Sequence, residues 1–287
     1  MPIVTERDAQ ERLRSLVQQC KTRLGIDRMP SYEGPNHPLA ILLNIEIREQ
    51  QGVLHGGNYI PGELPYITID PYVSSPERLN FTFFHEVTHH LLRGDGELYG
   101  FLDDHASTKF GRVLEDYCNI GAAEFLIPYA DVKAIFRSKG FSMGLLPELD
   151  ASYPASRPAI AIQMAQCAQH QCVVIICEQK MLSQQDGTLI PGGFVADQNP
   201  SLVAIYSSSS PSFQYRSGIN VRIPPDHIIS SVYTQKTCLR GKAAIPVHSG
   251  RQWIVDCDAI YYVGKVYAAF NVTSPPSLDQ PAFNFLD

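Results

Sequence analysis

Residues 81–92 read FTFFHEVTHHLL, and the rest of the chain is best read outward from them. His85 and His89 stand four residues apart, so on a helix both imidazoles leave the same face and can share one metal ion. Glu86 lies beside them, placed to take a proton from a water held there. At about 100° per residue Phe83, Val87 and Leu91 turn to the opposite side, and His90 turns with them. The predicted helix has an apolar back and a metal-binding front, a pattern that predicts metal-dependent peptide hydrolysis.

A catalytic zinc needs a third protein ligand and an open position for water. The extension HExxHxxGxxH is absent, because Leu92 stands where its glycine would be and Asp95 where its third histidine would be. Glu97, Asp103, Asp104, His105, Glu115 and Glu124 are the donors available downstream. Asp95 and Glu97 fall in GDGEL, which reads as a solvated turn. Glu115 is favoured: on a second predicted helix, near 109–126 and stopped by Pro128, Glu115, Asn119 and Ala122 form one stripe at i, i+4 and i+7. Glu124 lies on the other side of that wheel and reads as a solvated carboxylate, while Ala122 and Ala123 would let the two helices approach closely. The expected site is therefore His₂Glu, the gluzincin arrangement. Tyr66 to Asp70 (YITID) reads as an edge strand that could pair with substrate, and His105 and Tyr99 are weak candidates for stabilising an oxyanion. Cys118, one residue from Asn119, invites a redox role only weakly.

The remaining sequence bounds what this helix is attached to. The chain has 287 residues and a formal net charge of -6, which gives no global attraction to phosphate and makes direct DNA binding a minor reading. MPIVTERDAQERLR is charged within six residues and lacks an apolar signal core, and runs such as CVVIIC (172–177) are too short to span a bilayer. A cytoplasmic, membrane-free protein is expected. Seven cysteines without a CxxC pair fit reduced, mostly buried thiols.

Leu13, Leu16, Val17, Cys20 and Leu24 recur at helical spacing, predicting an amphipathic helix over 6–24. LAILLNIEI (39–47) and YITID read as strands around a turn at Gly56 and Gly57. Helices near 77–92 and 109–126 follow, and then short helices over 129–169 broken by Gly140, Gly144, Pro147, Pro154 and Pro158. From Cys172 the pattern becomes strand-like: CVVIICEQ, SLVAIYSS, INVRI, AIPVHS and AIYYVGKVYAAFNV. SSSSPS (207–212) reads as an exposed loop. Phe213, Tyr215, Tyr233, Trp253, Tyr261 and Tyr262 read mainly as core, with a sensor pocket as the alternative.

HEVTHHLL, preceded by SPERLNFTFF and followed by LEDYCNIGAAEFLIP, resembles the ImmA/IrrE metallopeptidases. Their second zinc helix has the form E-x-x-x-N-x-x-A-A-x-x-L-M-P, met here by Glu115, Asn119, Ala122, Ala123, Leu126 and Pro128, with Ile127 in place of methionine. VRIPPDHIISSVY and AIPVHSGRQWIVDCDA resemble the C-terminal region of the radiation-response branch of that family. The resemblance implies an α+β chain in three parts: a zincin-like peptidase domain over 1–129, a helix-turn-helix-like helical bundle over 130–170 and a GAF-like sensor domain over 171–287. It also implies zinc held by His85, His89 and Glu115, with manganese open as the cellular metal, Glu86 as base and Asn119 as a supporting residue. The implied substrate is a helix-turn-helix transcriptional repressor, cut in a DNA-damage or phage-defence response, with a small-molecule or nucleic-acid signal at the C-terminal domain. Basic residues are sparse over 142–160, so the bundle is expected to dock substrate or support structure rather than read DNA. Two other readings stay open, a DNA-binding regulator with a structural zinc and a general cytosolic metallopeptidase.

Overall fold

A computed structural model describes residues 3–73, 75–106, 109–181, 200–213, 220–247 and 253–272. The chain divides into two compact units, Met1–Tyr129 with Tyr153–Ser156, and Ala130–Ser152 with Arg157–Asp287. The mixed α+β class is observed in both.

The first unit opens with α1 (Glu6–Leu24), started by a capping box between Thr5 and Asp8 and stopped at Gly25, whose φ of 66° closes the last turn. Ala9, Leu13, Val17 and Cys20 face inward as the spacing predicts. The segment expected to be a strand from Leu39 instead begins with a short helix, α2 (Pro38–Leu42). Pro38 sets its first turn and the His37 Nδ1 accepts the Leu39 N–H at 3.2 Å, so local capping outweighs the apolar run. Strand β1 (Glu46–Glu49) follows, then a 3₁₀ turn (Leu54–Gly56), β2 (Gly57–Ile60) and β3 (Tyr66–Ile69). The sheet order is β1-β3-β2, parallel between β1 and β3 and antiparallel between β3 and β2. YITID is thus the central strand, because Tyr66 to Ile69 are paired on both sides, and the expectation of an edge strand there is corrected. Strands β1 and β2 form the two edges, and β2 is the one that packs against α3.

Three helices complete this unit: α3 (Pro76–Gly94), α4 (Gly96–Ala106) and α5 (Phe110–Leu126). Ser75 caps α3 and Pro76 occupies its first turn. Phe83, Phe84, Val87 and Leu92 on α3 are fully buried, each such side chain contributing about 1.5–3 kcal/mol. Phe84 stacks on Phe125 of α5 with ring centroids 5.1 Å apart.

GDGEL is no solvated turn. Asp95 is buried, accepts from Arg12 Nε at 2.7 Å and caps α4 by accepting the Leu98 N–H at 3.0 Å. Glu97 ties the N-terminal segment by accepting the Ile3 N–H. Glu124 is likewise buried rather than solvated: its carboxylate accepts the Tyr129 N–H at 3.1 Å and faces Arg14 at 3.8 Å.

The second unit begins with short helices α6 (Tyr129–Lys139), α7 (Leu146–Ser152) and α8 (Arg157–Cys167), with a 3₁₀ turn over Met143–Leu145. A six-stranded antiparallel sheet follows: β4 (Cys172–Lys180), β5 (Ser201–Ser209), β6 (Val221–Arg222), β7 (Cys238–Ala244), β8 (Ile254–Tyr262) and β9 (Lys265–Asn271), ordered β6-β5-β4-β9-β8-β7. CVVIIC is buried along its whole length. Val173, Ile175 and Cys177 pack with Ile229 and Val232 of α9 (Ile228–Gln235), leaving Val174 and Ile176 to point the other way.

Helix α9 and strand β7 were not anticipated, and AIPVHS is not a strand over its described residues beyond Ala244. Ser207 to Ser209 are not loop: they end β5, paired with Val173 to Ile175. Phe213 and Trp253 are buried together at 5.4 Å, and Tyr233 lies 5.9 Å from Tyr261. Tyr215 lies outside the described residues. All seven cysteines are free thiols and only Cys238 is exposed. No helix of the described residues is long and apolar enough to cross a membrane.

Candidate metal centre

Helices α3 and α5 bring the predicted donors together. Glu115 Oε2 lies 3.1 Å from His85 Nε2, and Glu115 Oε1 lies 3.4 Å from His89 Nε2. His85 Nδ1 donates to Asn119 Oδ1 at 3.1 Å, which fixes the tautomer and leaves Nε2 as a donor atom for a metal. Burial depresses the pKa of both histidines; for His89, with His85 adding to the effect, it falls to about 4. Both rings are therefore neutral, as metal ligands must be.

The approach of the two helices depends on a residue absent from the predicted Ala122–Ala123 contact. A β-carbon on Gly121 would run into the Thr88 side chain of α3. Thr88 is fully buried and its hydroxyl donates to the Phe84 carbonyl at 2.7 Å, so it cannot step aside. At Gly121 α5 packs directly on Thr88 of α3, with no room for a side chain between them.

Glu86 is buried against the edge strand. A β-carbon on Gly57 would stand 2.5 Å from Thr82 Cγ2 and 3.0 Å from Glu86 Cγ, so only glycine allows β2 to lie this close to α3. The Glu86 carboxylate accepts the Tyr59 N–H, yet burial still pushes its pKa up to about 7, with the Glu115 charge adding to the rise. A dication bound nearby would lower it again. His90, expected to point away from the site, shares a 3.1 Å hydrogen bond with the Tyr59 hydroxyl, and the Tyr59 ring stacks on His89 at 6.4 Å.

A second third donor is present. One ligand atom each from His85, His89 and Cys118 lie within 4.8 Å of one another. The Cys118 thiol is fully buried and its pKa is pushed far up by burial and by Glu115 and Glu86. The Glu115 carboxylate faces solvent and stands 3.1 and 3.4 Å from the two imidazole Nε2 atoms, a contact that favours it over the sealed thiol as the third donor.

A cleft of about 650 Å³ opens over these residues and is also lined by His55, Asn58, Arg78, Phe81 and Thr82. His55 holds a φ of 60°, unusual for a residue with a side chain. Tyr66 does not line this cleft: it sits in β3 with Arg48 stacked over its ring at 3.7 Å. His105 does not reach it either, since it bonds the Phe101 carbonyl of its own helix and stacks on Phe101. Arg78 was missed, although its place seven residues before His85 on the same helical face could have shown it; Gly57, Tyr59 and His55 gave no such signal, because their role depends on how the sheet packs.

Residues 43–163 match the family model of the IrrE N-terminal-like domain, peptidase M78. That stretch of the chain is similar to the IrrE N-terminal-like domain. The resemblance to the ImmA/IrrE family carried by HEVTHHLL and LEDYCNIGAAEFLIP is thereby borne out. The radiation response metalloprotease IrrE of Deinococcus deserti is 27% identical over 210 residues, covering 72% of this chain and 72% of that one. Its namesake from Deinococcus radiodurans is 24% identical over 200 residues, 68% of this chain and 60% of the other. A Mycobacterium tuberculosis transcriptional regulator shares the fold at a TM-score of 0.56 and 14% identity, over 92% of this chain and 76% of that chain. The match to the IrrE-like domain includes β1 to α5, the elements that build the cleft.

Proposed function

We propose that the chain is a zinc-dependent endopeptidase whose metal is held by His85, His89 and Glu115. The convergence of two neutral imidazoles and one carboxylate within 3.1–3.4 Å carries this reading. The donor set suits zinc, which takes nitrogen and carboxylate ligands and leaves a fourth position open; manganese is the alternative in the cell. When bound, the ion supplies Lewis-acid polarisation for a water and a peptide carbonyl. Glu86, beside the two histidines in the same cleft, takes the proton of the attacking water and hands it to the leaving amine. Asn119 holds His85 in its ligating tautomer. Substrate lies along β2, an edge strand beside Glu86, rather than along β3, which is paired on both sides.

The substrate is a helix-turn-helix repressor whose cleavage turns on a stress response. Support comes from the family match and from the two radiation response metalloproteases to which the chain is similar. In the same reading residues 1–129 are the peptidase domain, the helices over 130–170 a helix-turn-helix-like bundle that docks substrate, and residues 171–287 a GAF-like sensor. The six-stranded antiparallel sheet backed by α9 supports that last assignment. The test is Glu86→Gln in the zinc-loaded chain, assayed on a candidate repressor with casein beside it. Cleavage of the repressor is expected to fall at least 100-fold with zinc content unchanged, and casein is expected to stay intact with either chain. Undiminished cleavage by the variant would remove Glu86 from the reaction, and general degradation of casein would remove the dedicated substrate.

A further inference from the structure

Arg78 is the one residue lining the cleft whose position runs against the preferences of its own helix. It sits in the first turn of α3, where the helix dipole disfavours a positive side chain. Its backbone N–H is satisfied by Ser75 Oγ at 3.2 Å, so the guanidinium is not needed for capping. The side chain is exposed and has no carboxylate partner among the described residues.

What surrounds Arg78 is the cleft. It lines the same cavity as His85, Glu86, His89 and Glu115, and its charge acts on His85. Seven and eleven residues separate it from His85 and His89, so all three project within about 40° of one another around the helix. The rise from Arg78 to His85 is about 10 Å, roughly three residues of extended peptide.

We propose that Arg78 selects a carboxylate on the substrate, held about three residues from the bond that is cut. The inference rests on the endopeptidase reading and names a feature of what that cleft accepts. An acidic side chain and a free chain terminus offer the same carboxylate chemistry. Either would meet the planar guanidinium fork together with the positive end of α3.

The test uses binding, so it does not depend on turnover. The full-length Glu86→Gln chain, loaded with zinc, is presented with a twelve-residue peptide array in which Asp, Asn or Lys is placed at each position in turn, each peptide carrying a free or an amidated C-terminus. At one position Asp is expected to be retained about three- to tenfold better than Asn, and adding Arg78→Glu is expected to transfer that preference to Lys. A gain that tracks Asp within the peptide identifies an acidic side chain, and one that vanishes on amidation identifies a chain terminus; both support the proposal. The same Asp preference in the Arg78→Glu chain, equal retention of Asp and Asn, or no retention of any peptide would overturn it. Digestion of the same array by the chain with Glu86 intact separates the two readings. Retention through Arg78 without any cutting defeats the endopeptidase and leaves the anion site standing, while cutting without acidic preference does the reverse.

Discussion

Glu115 and Cys118 both stand beside the histidine pair, three residues apart on α5, and their contacts with the imidazoles separate them. The carboxylate is half-exposed and touches both imidazoles, whereas the thiol is sealed in the core. Replacing Glu115 by Ala is expected to weaken zinc binding by more than the roughly 10–100-fold that loss of an outer partner costs. Asn119→Ala should fall within that 10–100-fold range, and Cys118→Ala should change affinity only a few-fold. Competition against a chromophoric chelator measures all three, and a larger loss from Cys118→Ala than from Glu115→Ala would reverse the ligand assignment.

At the scale of elements the site is a contact between two helices and one edge strand, and glycine makes both contacts possible. Gly121 lets α5 meet α3 at Thr88, and Gly57 lets β2 meet α3 at Thr82 and Glu86. A methyl group at 121 has nowhere to go, because Thr88 is buried and bonded to its own helix. Gly121→Ala is expected to destabilise the chain by about 1–3 kcal/mol, the usual cost of overpacking, and to lower zinc affinity by spreading Glu115 from the histidines. Adding Thr88→Ala opens the space and should restore much of both. Urea unfolding and zinc titration of the single and double variants check this, and an unperturbed Gly121→Ala chain would show that the helices are not held at that point.

Across the whole molecule the donors all fall in one of the two compact units, with the six-stranded sheet in the other. A ligand that binds only the folded form stabilises what holds it, by about 2.7 kcal/mol when its free concentration is a hundredfold above the dissociation constant. Zinc is therefore expected to slow amide exchange in α3 and α5 of the first unit, read by hydrogen-exchange mass spectrometry. Protection confined to β4–β9 would contradict the placement of the metal. The division also explains what each core needs: Phe83, Phe84 and Phe125 fill the first, and Val173, Ile175 and Phe270 belong to the second.

Much of the metal face was legible because helical periodicity is local. Once FTFFHEVTHHLL is a helix, the directions of His85, Glu86 and His89 follow from 100° per residue, and the same arithmetic aligns Glu115 with Asn119. Short-range capping was the part most misread: α3 begins at Ser75 and Pro76, close to the expected residue 77, but His37 and Pro38 turn an apolar run into α2, and Asp95 turns GDGEL into the start of α4. The order of three strands could not be read from their sequences, since β1 pairs with β3 and not with β2, its neighbour in sequence, and this order puts YITID in the centre and β2 at an edge. The sequence by itself determined the metal-binding face, because spacing along one helix sets direction. Only the tertiary structure decided which edge lies over it, why residues 57 and 121 are glycine, and that Cys118 also stands within reach, because those depend on contacts between segments far apart in the chain.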